Sequence, residues 1–590
     1  MDKKTVLALI LIAVVIITMP YYQKLIQGDR PAVTEKIVSK DSLKVPVQDT
    51  VIKQRSEKKV VSEISAIPVL EKAAAQKKKF FIQDSTERLV RIESEKICVE
   101  ISNFGGGSFK KFVLKKYSKH DSTLVNMIDN KINNNLHLAF MEISGSYVET
   151  DTNLFFQSAT RKSVFLKENN SFKIEYRLPY KDSEIKKTFV FYGDYYHVDI
   201  IVQFKNPENL LLNRQYQIGW KNGLPSTESY ASDDNNYNQA YVYMGDELES
   251  YDVSDEGKKE TITFSGNADW IGIRTKYFLG SLININGNVS DGVYLSGEGI
   301  KKDDYIQRIY NVGYNARFLN DQVGDSLRLY MGPLYGKELA KYDKNLDVLI
   351  MNNGWYEKMF RFLTVPVLPL LEFLYSVIPN YGIVIIIFSI LIKILVFPLT
   401  KKSFVSMREM QKVQPLLSEL KEKYKGDPQR LNKETMKLYK EHGVNPLGGC
   451  LPTLLQFPFL ISLFIVFRST IQLRGAVFIP GWINDLSMPD TLFTLPISLP
   501  LYGDQFNLLP ILMALTMIIQ SKMTMQDPKQ KAMVYMMPVF MLLLFNTFPS
   551  GLNLYYTLFN IWSIIQQKYI NRGLAQEVVP VKKKTKKHKK

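Results

Sequence analysis

The long hydrophobic segments of this chain lie almost entirely after residue 355, and short alternating segments dominate the region before it. Between residues 81 and 350, segments such as SFKIEYRL and YYHVDIIVQF carry alternating, β-branched and aromatic residues, and turn sequences such as FGGGS separate them. Period-two alternation between turn signals is typical of strands in half-buried sheets. The pattern predicts a large all-β sandwich over 81–350.

Six hydrophobic runs have the character of membrane helices. The N-terminal run follows Lys3 and Lys4 and lacks a small-x-small cleavage pattern, so we expect an uncleaved signal anchor whose N-terminus is cytoplasmic. The other five runs occupy 383–400, 447–467, 508–520, 533–548 and 552–567.

The loop charges predict how these six spans are oriented. The block 401–446 is rich in lysine and arginine, and so is the C-terminal tail, whereas the connection 468–507 has only Arg468 and Arg474 as basic residues. The positive-inside rule then predicts that both termini are cytoplasmic and that residues 23–380 lie on the opposite side of the membrane. The predicted fold is a bundle of six transmembrane helices with a large β-sandwich outside the cytoplasm.

Changes in composition divide the chain into eight regions. Residues 23–80 have no persistent period, which indicates a linker, and 351–380 has sparse charges and aromatic residues that suit an interfacial helix, with a buried globular helix as the alternative. The predicted regions are the anchor 1–22, the flexible linker 23–80, the β-sandwich 81–350, the amphipathic interfacial helix 351–380, the second transmembrane helix 381–400, a cytoplasmic helical hairpin 401–446 broken at GDP, four transmembrane helices in 447–572, and the basic tail 573–590.

One lysine lies well inside a hydrophobic run, in IVIIIFSILIKILVFPLT, where Lys393 is about 12 Å along a helix from Lys401. That distance is long for snorkelling, and none of the six hydrophobic runs contains an aspartate or glutamate that could pair with the lysine. We therefore expect water to reach Lys393 in a hydrated cationic groove. In the last run one polar stripe recurs at spacings of three or four residues, formed by Asn553, Tyr556, Thr557, Asn560, Ser563 and Gln567. Interhelical hydrogen bonding in a tight bundle is the alternative explanation for such neutral polar residues. The candidate groove residues are Lys393, Ser389, Tyr556, Gln456, Thr516, Gln520, Asn553 and Asn560.

Composition and charge restrict the function further. Lysine and arginine exceed aspartate and glutamate by 75 to 58, which gives a net charge of +17 and favours anionic partners. The chain has two cysteines, five histidines without ligand spacing and no P-loop pattern, so we expect no metal site and no cofactor. Two alternatives remain open, an anion-binding transporter or channel that uses Lys393, and an envelope enzyme acting through the β region.

Four stretches resemble the YidC/Oxa/Alb family of membrane protein insertases, and within it the bacterial form with a large periplasmic domain. They are FPLTKKSFVSMREMQKVQP (397–415), LYKEHGVNPLGGCLPTLLQFPFL (438–460), DPKQKAMVYMMPVF (527–540) and FPSGLNLYYTLFNIWSIIQQ (548–567). In that family the groove charge is usually an arginine, and here Lys393 stands in its place. This departure keeps the charge but loses the bidentate fork of a guanidinium.

The resemblance implies a non-enzymatic insertase and membrane chaperone of the cell inner membrane. It also implies that residues 23–380 with their β-sandwich are periplasmic and that five helices form the insertase core beside the N-terminal anchor. By the same matching, Ser389 falls at a groove hydroxyl and Tyr556 at a substrate-contacting tyrosine. The implied partners are nascent membrane proteins, the Sec translocon, the ribosome with the signal recognition particle pathway, and the phospholipid bilayer. The expected ribosome contacts are the tail lysines Lys582, Lys583, Lys584, Lys586, Lys587, Lys589 and Lys590.

Overall fold

The structure is a computed structural model, and its described part begins after the predicted anchor and linker. It describes residues 86–576 except 130–134, 152–155, 159–162, 254, 286–289, 303–304, 319–323, 444–450, 500–501 and 525–530. The predictions for 1–80 and for the tail lysines therefore lie outside the described residues.

The region predicted as a β-sandwich is built of strands, with single helical turns at Pro207–Leu210, Ala231–Asn235 and Gly336–Leu339. Its described strands are β1 Leu89–Ser94, β2 Ile97–Ser102, β3 Ser108–Ser118, β4 Leu124–Asn126, β5 Leu136–Glu142, β6 Tyr147–Glu149, β7 Gln157–Ser158, β8 Val164–Leu166, β9 Ser171–Tyr180, β10 Ser183–Tyr192, β11 His197–Lys205, β12 Leu211–Trp220, β13 Gln239–Met244, β14 Glu247–Tyr251, β15 Lys259–Ser265, β16 Trp270–Arg274, β17 Phe278–Asn284, β18 Ser290–Lys302, β19 Tyr305–Arg317 and β20 Gly324–Pro333.

Two large sheets face each other, which confirms the sandwich. In the described residues one sheet has the order β14-β13-β16-β17-β20-β11-β10-β9-β7 and the other β15-β18-β19-β12-β5-β6. Side chains bridge them: the Phe140 and Phe204 rings are 5.7 Å apart, and the Tyr314 hydroxyl donates to the Leu282 carbonyl at 2.9 Å. A third sheet, β4-β3-β2-β1-β8, joins this core through Phe109, whose ring lies 5.9 Å from that of Phe189.

The FGGGS turn between β2 and β3 requires its glycines. Gly105, Gly106 and Gly107 all have positive φ, and a Cβ on Gly107 would lie 2.2 Å from the Phe189 ring. Only glycine adopts this left-handed geometry at little cost. The turn directs the Gly105 carbonyl at the fully buried Lys187, whose ammonium donates to it at 2.6 Å.

The second half of the described chain is helical apart from a β-hairpin. Its described helices are α1 Gly354–Val377, α2 Tyr381–Lys423, α3 Pro428–Glu441, α4 Leu451–Ser469, α5 Leu508–Thr524, α6 Lys531–Phe545 and α7 Ser550–Gln576. The hairpin strands are β21 Thr491–Leu499 and β22 Gly503–Asn507.

Helix α2 is longer than either predicted helix that it contains. It continues from the hydrophobic run through residue 400 into the charged block, although it contains Pro398 and Pro415. The break expected at GDP is present, because α2 ends at Lys423 and the Asp427 side chain caps α3 by accepting from the Arg430 backbone at 3.0 Å. The membrane boundary predicted at residue 400 therefore lies inside one continuous helix.

Two helices in the described part of the chain, Gly354–Val377 and Tyr381–Pro398, are long and apolar enough to cross a membrane. Shorter apolar helices span Phe457–Ser469, Leu508–Met523 and Val534–Phe545. The number of six spans stays a prediction, as does the interfacial position of 351–380.

Candidate functional site

Lys393 is buried between α2 and α7 and contacts two side chains of α7. Its Nζ donates to the Ser563 hydroxyl at 2.7 Å and lies 4.3 Å from the centroid of the Phe559 ring. The lysine side chain is about 7% exposed in the absence of lipid. Ser563 and Phe559 are four residues apart, so helical geometry places both on the face that meets the lysine.

The contact follows from the starting points of the two helices. Lys393 is twelve residues from the start of α2 and Ser563 thirteen residues from the start of α7, or about 18 and 20 Å along the helix axes. Both helices begin at the same end of the bundle, since the Gly551 backbone and Gly382 both contact the segment 476–486. The lysine thus lies at the depth of the serine.

Ser389 also faces α7. Its hydroxyl accepts from the Trp562 indole at 3.2 Å and donates to the Ile386 carbonyl at 2.7 Å. Because Ser389 is one helical turn from Lys393, the two residues share one face of α2. The structure therefore brings together the two α2 residues of the predicted groove.

Two further polar pairs surround this centre. Asn560 donates to the Thr516 hydroxyl at 3.2 Å, which joins α7 to α5. Nearer the C-terminal end of α7, Gln566 donates to the Thr400 hydroxyl at 2.9 Å. The polar stripe of α7 consequently touches both α2 and α5.

Asn553 and Tyr556 lie away from Lys393, near the start of α7. Asn553 donates to the Phe545 carbonyl at 3.1 Å, and the Tyr556 ring packs edge-on against the Phe545 ring at 5.2 Å. These contacts hold the turn between α6 and α7. Gln520 lies on α5, half-buried, and Gln456 lies on α4 with a side chain outside the described set.

Several buried polar atoms on α7 have no hydrogen-bond partner within the described part of the chain. They are the Tyr556 hydroxyl, the Asn553 Oδ1, the Gln566 Oε1 and the Gln567 Oε1. Leaving such an atom buried without a partner costs about 1–3 kcal/mol. Water or a bound polar segment would remove this cost.

Lys393 has only uncharged contacts among the residues described. These are the Ser563 hydroxyl and the Phe559 ring, and no described carboxylate lies at ion-pair distance. A buried ammonium that meets only a hydroxyl and a ring keeps two donors without an acceptor. The arrangement is an uncompensated positive site that favours an anionic or polar ligand.

The connection after α4 contacts the β domain through two arginines. Arg468 forms an ion pair with Asp233, which Lys276 also contacts at 2.9 Å, and Arg474 donates to Glu228 at 2.8 Å. Burial opposes ionisation of Asp233, but the charges of Arg468 and Lys276 outweigh it and hold the pKa of that carboxyl well below its usual range. This connection therefore lies on the same side of the helices as the β domain.

Sequence reasoning missed several partners at this site. The sequence predicts no role for Phe559, Trp562 or Thr400, and it places Ser563 on the polar stripe of the last hydrophobic run without indicating its partner. The spacing of three or four residues along α7 placed Ser563 on the correct face. No sequence signal pairs a particular residue of α7 with Lys393, because the pairing depends on the relative height of two helices.

Comparisons with known proteins agree with this division of the chain. Residues 373–577 match the family model described as 60Kd inner membrane protein, and residues 89–369 match the one described as YidC periplasmic domain. The chain is thus an inner-membrane protein with a large periplasmic β domain and a helical membrane region.

Curated relatives match nearly the whole chain. The membrane protein insertase YidC of Prosthecochloris aestuarii is 35% identical over 98% of this chain and 96% of its own length, and that of Chlorobaculum parvum is 34% identical with the same coverage. The crystal structure of active YidC insertase with its first transmembrane domain resolved is 18% identical, with a TM-score of 0.35 over 82% of this chain and 95% of that one. The chain belongs to the YidC family of membrane protein insertases.

Proposed function

We propose that this insertase uses the polar site between α2, α5 and α7 as a groove for the hydrophilic extracytoplasmic part of a nascent membrane protein. Lys393 attracts acidic residues of that segment, and the apolar segment that follows partitions into lipid at about 0.8 kcal/mol per buried methylene. The observation that carries the proposal is the buried Lys393 ammonium, whose described partners are only a hydroxyl and a ring.

The unpartnered oxygens of α7 support a hydrated groove over a dry bundle. A bundle held together by interhelical hydrogen bonds would satisfy its buried polar atoms. Here the Oε1 of Gln566, whose amide donates to Thr400, and the Oε1 of Gln567, whose amide donates to the Met523 carbonyl, lack a partner in the described chain. The Tyr556 hydroxyl and the Asn553 Oδ1, nearer the start of α7, lack one as well. A polar polypeptide entering the groove, or water in its absence, would pair with these atoms.

The proposed topology extends the prediction to the whole chain. Six spans with both termini cytoplasmic place the β domain and the connection 468–507 outside and the α2–α3 hairpin inside. The contacts of Arg468 and Arg474 with Asp233 and Glu228 support this arrangement, because they join that connection to the β domain. The proposed activity is non-enzymatic and needs no cofactor.

Reconstitution in liposomes tests the proposed function. The purified protein alone is expected to insert a single-span substrate with an acidic N-terminal tail, measured as protection of that tail from added protease. Protein-free liposomes are the control. Anion flux without substrate protection would instead support the transporter alternative. Insertion that increases on adding the Sec translocon would identify the substrates for which the two cooperate.

We further propose that the basic tail binds the ribosome in the signal recognition particle pathway. Seven lysines among the last ten residues form a polycation, and contacts with RNA phosphates release counterions. Ribosome affinity should therefore fall steeply as the salt concentration rises. In a plot of log affinity against log salt concentration, each phosphate contacted contributes about −0.7 to −0.9 to the slope.

Deleting residues 581–590 is expected to flatten this salt dependence in a ribosome co-sedimentation assay. A variant with arginine at all seven positions is the matched control and should keep the slope. If the slope is unchanged on deletion, the tail does not contact the ribosome. Binding of the deleted peptide to anionic vesicles alone would assign it to the membrane surface.

A further inference from the structure

The β-hairpin between α4 and α5 is an exposed ribbon without a covering layer. In the described residues β21 and β22 form a sheet of their own, and the Phe493 and Phe506 rings stack across it at 4.7 Å. An isolated two-stranded hairpin is only marginally stable in water. Something outside the described chain is therefore needed to cover it.

The exposed residues of β21 are strongly apolar. Leu492, Phe493, Ile497 and Leu499 are between 42% and 63% exposed. Within 491–507 the only charged residue is Asp504, although this segment lies in a chain with 23% charged residues. Exposed apolar side chains concentrated on one short strand, with almost no charge, are typical of an interaction surface.

The base of the hairpin is fixed to the ends of the apolar helices. Asp490 accepts from the backbone amides of Leu508 and Leu509 at 3.0 and 2.8 Å, which caps the start of α5. Asn507 donates to the Asn546 side chain at 3.1 Å, just after α6. The hairpin therefore begins at the level at which α5 starts and α6 ends.

The segment 476–486, which precedes the hairpin, is fixed to the same end of the helix bundle. Phe478 packs on the first turn of α2, where a Cβ on Gly382 would lie 1.9 Å from its ring, so only glycine permits this close approach. On the other side of the base, Gln505 donates to the Tyr230 hydroxyl of the β domain. The hairpin thus lies at the boundary between the helices and the periplasmic domain.

We propose that the apolar surface of this hairpin lies in the extracytoplasmic leaflet of the bilayer, at the depth of the headgroups and the upper acyl chains. The proposal rests on the membrane topology given above. The hairpin leads directly into α5, on which Leu515 and Ile519 are about half exposed and would face lipid. The occupant is phospholipid, because the ribbon is apolar and nearly uncharged and its base lies at the level at which the apolar helix α5 starts and α6 ends.

Backbone hydrogen bonding sets the depth. The outer edges of a two-stranded ribbon carry unpaired amide and carbonyl groups, which cannot be exposed to the hydrocarbon core of a bilayer. At headgroup depth, water and phosphate oxygens can pair with these groups while the apolar side chains reach the acyl chains. The hairpin would then fix the height of α5, which forms one wall of the proposed groove.

Depth-dependent quenching tests the inference in the full-length protein. In a background with Cys98→Ala and Cys450→Ala, Ile497→Cys is labelled with an environment-sensitive fluorophore, and the protein is reconstituted in phosphatidylethanolamine and phosphatidylglycerol vesicles. We expect a blue-shifted emission and stronger quenching by a nitroxide near the headgroup than by one deep in the acyl chain. A red, water-like emission without lipid quenching would overturn the proposal.

Two matched sites make the outcomes distinguishable. Ile519→Cys on α5 should be quenched most by the deep nitroxide, and Ile143→Cys, exposed in the β5–β6 turn of the periplasmic domain, should not be quenched. Absence of lipid quenching at Ile519 as well as at Ile497 would contradict the membrane topology. Absence of lipid quenching at Ile497 alone would contradict the hairpin inference. Self-quenching at Ile497 that increases with protein density would assign the surface to a second copy of the chain and overturn the lipid proposal.

Discussion

Replacing Lys393 with methionine is expected to slow the insertion of substrates with acidic tails about tenfold. Methionine keeps much of the apolar stem that packs on Phe559 but removes the charge. Two unit charges about 12 Å apart attract by about 1.4 kcal/mol at an effective dielectric constant of about 20, and this energy corresponds to a factor of about ten. Lys393→Glu should lower insertion further, and Lys393→Arg should retain it. The measurement is the rate of tail translocation in cells depleted of their own insertase.

The control for this experiment is Lys522→Met, which removes an exposed lysine from α5, outside the polar site. It should insert all substrates at the normal rate. A neutral-tailed substrate should respond little to any Lys393 variant, because the attraction acts on the acidic tail. If Lys393→Met and Lys393→Glu insert acidic-tailed substrates as well as Lys393→Arg does, the groove charge has no role in this protein.

Stability measurements on Lys393 variants distinguish a role of Lys393 in recruiting substrate from a purely structural role in helix packing. If Lys393 only holds α2 to α7, then Ser563→Ala, which removes its hydrogen-bond acceptor, should lower thermal stability as much as Lys393→Met does. If Lys393 recruits substrate, Lys393→Met should slow insertion with little change in the unfolding midpoint in detergent. A fall in the midpoint that accounts for the whole loss of activity would contradict the recruitment role.

The β domain is expected to become more stable between pH 7 and pH 10 because of Lys187. Its ammonium is fully buried, and burial lowers its pKa from 10.5 to about 7, although the charge of Asp151 opposes the shift. In this range the unfolded chain binds a proton at Lys187 and the folded domain does not. Stability therefore rises with pH, by about 1.4 kcal/mol per pH unit from this group.

Lys187→Met should abolish this contribution, and Lys186→Met, at the neighbouring position on the other face of β10, is the matched control. The measurement is the pH dependence of the unfolding midpoint of the full-length protein in detergent, followed by near-ultraviolet circular dichroism. The unfolding midpoint of the wild-type protein should rise relative to that of Lys187→Met towards pH 10, whereas its difference from that of Lys186→Met should stay constant. A difference for Lys187→Met that does not vary with pH would show that its amine keeps one protonation state throughout.

Lys187 also shows what alternation alone leaves undecided. The alternation in KKTFVFYG (186–193) predicts a strand, and the structure has one at Ser183–Tyr192. Lysine is normally a surface residue, so composition favours solvent for both Lys186 and Lys187. The period of two places Lys187 on the face of Ile185 and Phe189, and the FGGGS turn, distant in sequence, supplies the carbonyl that accepts its hydrogen bond.

The groove shows the same division between local and tertiary information. The sequence identified Lys393 as an unpaired charge, Ser389 on its face and a polar stripe on α7, since helical spacing is a local property. It grouped Asn553 and Tyr556 with Lys393, whereas the structure places them at the α6–α7 turn, away from the lysine. Spacing gives the angle around a helix and says nothing of the height at which another helix meets it.

The sequence by itself determined the family, the β-sandwich, the helical membrane region and the charge that must be accommodated, because these depend on hydrophobic period, motif and composition. Only the tertiary structure decided that Ser563 and Phe559 receive Lys393, that Arg468 meets Asp233, and that the segment 491–507 forms an uncovered hairpin at the ends of the helices. These contacts join residues up to 235 positions apart, and they exist because packing fixes the relative heights of helices and sheets.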